Sequence, residues 1–205
     1  AKPAEISEPQ AAPVIIAGFG RYGQIVGRLL NASGLSATVL DHNAEQVESV
    51  RRFGWPVFYG DATRLDLLRT AGAAQARVLV LAIDDVTQSL EIVDLVRAHF
   101  PGLEIVARAR DVTHWNQLRD RGVVRVQREL FESSLVSARS VLEVLGTSPQ
   151  EALDIADRFR VHNLALFEQL HPHYKDEDRL IAVVKQGRRQ LEEQMAQERA
   201  QRAAA

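Results

Sequence analysis

The chain contains no cysteine. Disulfides, thiolate metal sites and cysteine nucleophiles are thereby excluded. Long apolar runs are absent as well. The longest, "VLVLAI" from Val78 to Ile83, has strand length and falls far short of the roughly 18 residues that cross a bilayer. Neither sign of charge dominates: 25 Lys and Arg face 27 Asp and Glu, for a net charge of −2. With its cations dispersed, the chain does not read as a nucleic-acid binder. The N-terminus has no basic start followed by an apolar core, so no signal peptide is predicted. No G-x-S-x-G, P-loop or H-E-x-x-H occurs, which removes the commonest local signatures of hydrolases and kinases.

What is present is alternation. The opening "AKPAEISEPQAA" reads as a solvated linker over residues 1–12, expected to join this chain to something longer. Six short apolar runs then follow: "VIIAG", "ATVLD", "PVFYG", "RVLVLAI", "LEIVARA" and "VVRV". Several are apolar almost throughout, as parallel strands covered on both faces are. Segments of helical spacing separate them, such as Leu90, Val93, Leu95 and Val96, closed by Pro101 and Gly102. The expectation is an α/β fold, a Rossmann-like doubly wound parallel sheet of about six strands with a C-terminal helical extension. The sheet domain is placed at residues 13–127, the helical extension at 128–171 and a tail with a terminal helix at 172–205. "RELFESSLVSARSVLEVLG" is read as one helix ending at Gly146. The next helix opens with Ser148 as N-cap, Pro149 at its first position and Glu151 completing a capping box. Pro172 interrupts it, and "LIAVVKQGRRQLEEQMAQERAQR" adds a last helix.

Gly18, Gly20 and Gly23 fit G-x-G-x-x-G between a strand and a helix. The first glycine permits a tight turn, the second lets phosphate approach the backbone, and the third lets helix and strand pack closely. The surrounding Phe19, Arg21 and Tyr22 complete the loop, and the helix start offers free N–H groups to an anion. Asp41 ends the second strand, where a carboxylate meets ribose hydroxyls. It would repel a 2′-phosphate, so NAD(H) or an adenosine nucleotide such as AMP is favoured over NADP(H). Asp61, followed by Ala62 and Thr63, supplies a second carboxylate at the end of the third strand; its plain alternative is a helix cap. For the glycines, the plain alternative is chain geometry alone.

Chemistry is harder to find. His162 sits alone inside a helix, and His171 and His173 flank a proline with no further ligand nearby, so neither a catalytic residue nor a metal site is assigned. The "DEDR" run reads as a solvated face. A nucleotide site without visible reactive groups favours sensing over catalysis.

Together, "VIIAGFGRYGQIVGRLL", "VLDHN", "RRFGWPVFYGDATRLDLLRTAGAAQARVLVLAIDD", "HFPGLEIVARARD", "RELFESSL" and "DRFRVHN" resemble the cytoplasmic RCK/KTN (TrkA-N type) domain of Kef glutathione-gated potassium efflux systems. The resemblance covers roughly Pro13 to Phe167. It implies a regulatory module, not an enzyme, belonging to a potassium–proton antiporter of the cation:proton antiporter-2 group. The membrane antiporter domain would lie in the same full-length chain, with this part on the cytoplasmic face of the bacterial inner membrane. The family's modules form homodimers, with the helix after the sixth strand crossing to the partner. They hold an adenine nucleotide in the glycine cleft and glutathione at the dimer interface. Glutathione keeps transport shut and its S-conjugates open it. An ancillary flavoprotein resembling a quinone reductase is a further family partner.

By motif, the resemblance carries the glutathione residues onto Arg28 of the first helix, Phe53 of "RRFG", Arg128 of "RELF" and Asn163 of "FRVHN". It places Arg128 and Asn163 in the helical extension. Guanidinium groups suit the two carboxylates of glutathione, and Asn163 can both donate to and accept from a peptide group. The arginines have a plain alternative as surface residues and Phe53 as core. Tyr22 stands where the family usually has phenylalanine, and Arg121 is an extra arginine without an assigned role. Two other readings stay open: a related antiporter or channel gated by nucleotide alone, and an NAD-dependent oxidoreductase.

Overall fold

The computed structural model describes residues 2–205. The backbone divides into two compact units, one ending at Glu129 and the other covering Leu130–Ala205. In the first unit, β1 (Val14–Ala17), β2 (Ala37–Asp41), β3 (Val57–Tyr59), β4 (Val78–Leu81), β5 (Glu104–Ala109) and β6 (Arg125–Arg128) form one sheet. Every pairing is parallel, and the order is β3-β2-β1-β4-β5-β6. That order is the doubly wound one, with its reversal at β1. The crossovers are α1 (Arg21–Ala32), α2 (Ala44–Arg52), α3 (Leu65–Thr70), α4 (Val86–His99) and α5 (Val112–Asp120).

The central strand explains why the sequence does not alternate there. Ile15, Ile16 and Ala17 are all fully buried, because helices cover both faces and each side chain needs to be apolar. Register sets Ala17 level with Leu40 of β2 and Leu81 of β4. The three strands therefore end together, and the loops that follow share one rim. On that rim Asn43, Asp85 and Asp111 each cap a helix, their side chains accepting from the N–H groups of Gln46, Gln88 and His114.

Two expectations need correction. The opening segment is not simply solvated: Glu5 bridges to Tyr59, the Ile6 N–H donates to the Tyr59 carbonyl at 3.0 Å, and the Ile6 side chain is buried. Glu5 also pairs with Arg64 at 2.8 Å. β3 is an edge strand with free backbone groups, and the segment covers part of that edge. Arg128 is not in a helix. It is the last residue of β6, level with Ala109, and the following helix starts only after Leu130, whose φ of 68° breaks the run. Such a φ costs a branched residue about 1–2 kcal/mol, and nothing in "RELF" signals it. Arg121 has a structural place: it follows α5, donates to Asp94 Oδ1 at 2.8 Å and to the Gln117 carbonyl at 3.1 Å.

The second unit is helical, with α6 (Phe131–Val144), α7 (Pro149–Leu170) and α8 (Glu177–Ala203), and a 3₁₀ turn at His171–His173. Ser148 caps α7 by accepting from the Glu151 N–H at 3.2 Å. The reciprocal half of the expected box is replaced, because the Glu151 carboxylate pairs with Arg202 of α8. The last helix starts earlier than "LIAVV" suggests. Asp176 caps it, and Glu177 and Asp178 lie in its first turn, where carboxylates offset the helix dipole. Among the described residues no helix is long and apolar enough to cross a membrane.

Candidate functional site

The shared rim of β1, β2 and β4 opens into a cleft of about 370 Å³, lined by residues that include Gly18, Gly20, Asp41 and Arg108. The three glycines differ in what requires them. Gly18 has a φ of +96°, and a Cβ there would lie 2.8 Å from the Ala82 carbonyl oxygen. A Cβ at Gly23 would lie 2.0 Å from the Gly18 carbonyl oxygen. Gly20 has an ordinary φ of −78°, and a Cβ there would meet nothing within 4 Å. Packing thus demands the first and third glycines, whereas a side chain at the second would only intrude on the cleft.

α1 starts at that glycine without a capping side chain and with no acidic residue in its first turn. α2, α4 and α5 all have caps on the same rim. The N–H groups of the first turn of α1, with their partial positive charge, are therefore left for an external anion.

Asp41 is 8% exposed and has a structural task that the sequence did not reveal. Its Oδ2 accepts from the Phe19 N–H and its Oδ1 from the Asn43 N–H, both at 2.8 Å. The carboxylate so shapes the glycine loop and the approach to α2, while each oxygen keeps a lone pair for a hydroxyl. Phe19 contributes backbone only. Its ring is buried beside Gly27 and lies 6.0 Å from the Trp55 ring. Arg21 is exposed at the start of α1. Asp61 accepts from both the Thr63 N–H and the Thr63 hydroxyl, at 2.9 and 2.7 Å, and so orders its own turn. It does not cap α3, whose N-cap is Arg64. Asp61, Ala62 and Thr63 follow β3 and do not line the cleft.

Arg108 was not singled out from sequence. It is 7% exposed on β5, donates to the Ala82 carbonyl at 3.2 Å, and pairs with Asp84 and with Glu129, the latter at 2.8 Å. Its guanidinium lies 5.3 Å from the centre of the Tyr22 ring. Burial raises the Tyr22 phenol above its ordinary pKa, with Arg108 opposing and Glu129 adding to the effect. The signal lay in "ARARD", but its partners are 24 and 21 residues away, beyond any local pattern.

The four residues carried over by resemblance are placed as follows. Arg28 is exposed on α1. Phe53 caps the end of α2 and is 81% exposed, which rules out a core role. Arg128 ends β6, half-buried. Asn163 lies on α7 in the second unit, and its Oδ1 is buried with no hydrogen-bond partner.

Among the histidines, His114 is the buried one. Its Nδ1 accepts from the Arg110 N–H at 3.0 Å, which leaves Nε2–H to donate to Ser89 Oγ at 3.0 Å. Burial holds its pKa below the usual value; Asp111 opposes this and Arg108 adds to it. His171 and His173 belong to the 3₁₀ turn, where His171 stacks on Tyr174 at 5.7 Å. Among the described residues no three His, Asp or Glu side chains gather as a metal site.

Comparison with known proteins agrees with this fold. Residues 14–128 match the TrkA-N domain model and residues 133–205 match the model of the potassium efflux system KefB C-terminal domain. The glutathione-regulated potassium-efflux system protein KefC of Escherichia fergusonii is 49% identical over 195 residues, covering 95% of this chain and 31% of its own length. KefC of Escherichia coli gives the same figures. The chain thus spans about a third of the curated relatives it matches. Among solved structures, the Kef C-terminal domain of Shewanella denitrificans in its AMP-bound form is 45% identical, with a TM-score of 0.72 over 78% of this chain and 97% of that one. The TrkA-N domain of the inner membrane protein ybaL of Escherichia coli is 28% identical, with a TM-score of 0.56 over 66% of this chain and 98% of that one. The chain belongs to the TrkA-N family and, within it, to the C-terminal domains of Kef potassium-efflux systems.

Proposed function

We propose that this chain is the ligand-sensing regulatory domain of a glutathione-gated potassium–proton antiporter, with an adenine nucleotide in the cleft between Gly20 and Asp41. The observation that supports this most directly is the second glycine. The fold does not require Gly20, the adjacent helix start is uncapped, and the related Shewanella domain is AMP-bound. AMP fits this reading better than NADP(H), because Asp41 disfavours a 2′-phosphate; NAD(H) is the other nucleotide compatible with that carboxylate. No reactive constellation adjoins the cleft, so the nucleotide acts as a bound ligand that stabilises the native state.

Glutathione, in this reading, is held where two copies of the chain meet, by Arg28 and Arg128 at its carboxylates and by Asn163 at a peptide group. Free glutathione holds transport shut. A bulky S-substituent requires Phe53 to adopt a different packing and opens transport, since a ligand shifts an equilibrium only by its differential affinity for the two states. The exposed Phe53 and the unpartnered Asn163 Oδ1 support these roles. Exposed Val136, Val141, Val144 and Leu145 on and just after α6 support a homodimer. An ancillary flavoprotein resembling a quinone reductase, and a position on the cytoplasmic face of the membrane, belong to the same reading.

Isothermal calorimetry tests it. Glutathione and a bulky S-conjugate are titrated into the parent chain and into Arg128→Ala, with and without AMP. Binding of both ligands that Arg128→Ala abolishes is the expected result. AMP binding with indifference to both glutathione species would leave the nucleotide-only module standing instead.

A further inference from the structure

The cleft holds an electrostatic contradiction. Asp41, Asp84 and Asp85 line it, and Arg108 is its single lining arginine or lysine. A site for an anionic nucleotide is thus lined by three carboxylates and one guanidinium. Two of the carboxylates have local work: Asp41 holds the glycine loop, and Asp85 caps α4 by accepting from the Gln88 N–H at 2.8 Å. Asp84 has none of that kind. Its side chain is 72% exposed, it caps no helix, and its ion pair is with Arg108. Arg108, by contrast, is anchored without it. Glu129 accepts from both Nε and Nη2 at 3.0 and 2.8 Å, and the Ala82 carbonyl accepts from Nη1. The fold therefore keeps this guanidinium in place by other means, and Asp84 adds a second negative charge at the rim of an anion site.

We propose that Asp84 is a selectivity residue. By occupying and neutralising Arg108 it makes the cleft discriminate against nucleotides that carry several phosphates. The inference rests on the nucleotide reading above and goes beyond it, since it assigns the discrimination to one side chain. The physical basis is a difference of affinities created by like charge. A monophosphate can be satisfied by the N–H groups of α1, whereas each additional phosphate adds charge that Asp84 and Asp85 repel. That repulsion grows with the charge of the ligand, while an uncharged nucleoside is indifferent to it.

The test is a charge ladder. Adenosine, AMP and ATP are titrated by calorimetry into the parent chain and Asp84→Asn, at two salt concentrations. The substitution removes one negative charge from an exposed position, so folding is expected to be unaltered, and thermal unfolding without ligand confirms it. AMP is expected to bind roughly threefold tighter and ATP about tenfold tighter, with adenosine unchanged and the gains shrinking at high salt. Arg108→Gln serves as the opposite arm, weakening ATP more than AMP. A second substitution, Asp84→Glu, keeps the charge and is expected to preserve the parent's ranking. Equal gains for all three ligands, or no gain for ATP in Asp84→Asn, overturn the inference while leaving nucleotide binding intact. A parent chain that binds none of the three overturns the nucleotide reading itself, and the selectivity with it.

Discussion

The two units solve the problem of burial differently. The first wraps a parallel sheet on both faces, and Ile15, Ile16, Leu40, Leu79 and Leu81 lose all contact with water. In the second, the buried apolar side chains are Leu135, Ala152, Ala156 and Leu170, two of them only alanines. Meanwhile Val144 is 87% exposed and Leu145 78%. Three helices with so small an interior have an apolar surface still to cover, and large exposed apolar patches mark interaction sites. The sheet buries its apolar residues within its own unit, whereas the helices leave Val144 and Leu145 in water.

The sharpest way to break that comparison is at the glycine turn. Gly23→Ala drives a Cβ to 2.0 Å from the Gly18 carbonyl oxygen, a backbone atom that cannot move without dismantling the loop. A loss of about 4 kcal/mol or more is expected, read as a collapse of the denaturant midpoint. Gly20→Ala meets no atom within 4 Å and is expected to cost less than about 1 kcal/mol while weakening AMP binding. If both variants lose stability alike, the second glycine serves the fold and the cleft loses its main support.

A core truncation comes next. Leu79→Ala removes a fully buried side chain from β4 and is expected to cost about 2–5 kcal/mol. Val144→Ala, at the exposed end of α6, is expected to change unfolding by no more than about 0.5 kcal/mol. Its effect belongs in sedimentation instead, as a weaker self-association of the chain. A Val144→Ala variant that unfolds as easily as Leu79→Ala would show that the second unit has a core of its own.

How far these contrasts were legible in the sequence follows from range. Strands such as "VIIAG" and the glycine spacing announce themselves, because the constraints act between neighbours in the chain. The cap at Ser148, Pro149 at the start of its helix and the place of Asp41 at the end of β2 are legible for the same reason. Arg108 was not, because its meaning depends on Asp84 and Glu129 brought together by β4, β5 and β6. Phe53 reads equally as core or surface from its neighbours, and only the end of α2 decides. Arg128 reads as helix because the apolar spacing of "ELFESSL" runs straight through Leu130, whose left-handed backbone no residue type in that stretch suggests. The docking of Ile6 on β3 was hidden by a composition rich in proline and charge.

A smaller effect concerns pH and sits wholly in the first unit. Burial lowers the pKa of His114 in the folded chain, whereas the unfolded chain takes up a proton near the ordinary value of about 6.5. The unfolded state therefore binds more protons as pH falls below that value, and stability falls with it; above it the contribution is fully present. Denaturant midpoints from pH 7.5 down to 5.5 are expected to drop, and His114→Gln is expected to flatten that slope. An unchanged slope would mean that another of the six histidines carries the dependence.

The smallest effect returns to a glycine, now in the helical unit. Gly187 is buried in mid-α8, and a Cβ there would lie 2.9 Å from Leu166 Cδ1. The obstacle differs in kind from that at Gly23, being the free end of a leucine side chain, which can rotate. Alanine gains about 0.5–1 kcal/mol over glycine inside a helix, and moving the Leu166 methyl off its rotamer costs a comparable amount. The two nearly cancel, so Gly187→Ala is expected to shift stability by no more than about 0.5 kcal/mol in either direction. Pairing it with Leu166→Ala removes the obstacle and leaves the helical gain. The double variant should then be more stable than Leu166→Ala alone. If instead Gly187→Ala unfolds the helices even in that background, the close approach of α7 and α8 is as rigidly specified as the glycine turn, and the two units would not differ in how their interiors tolerate change.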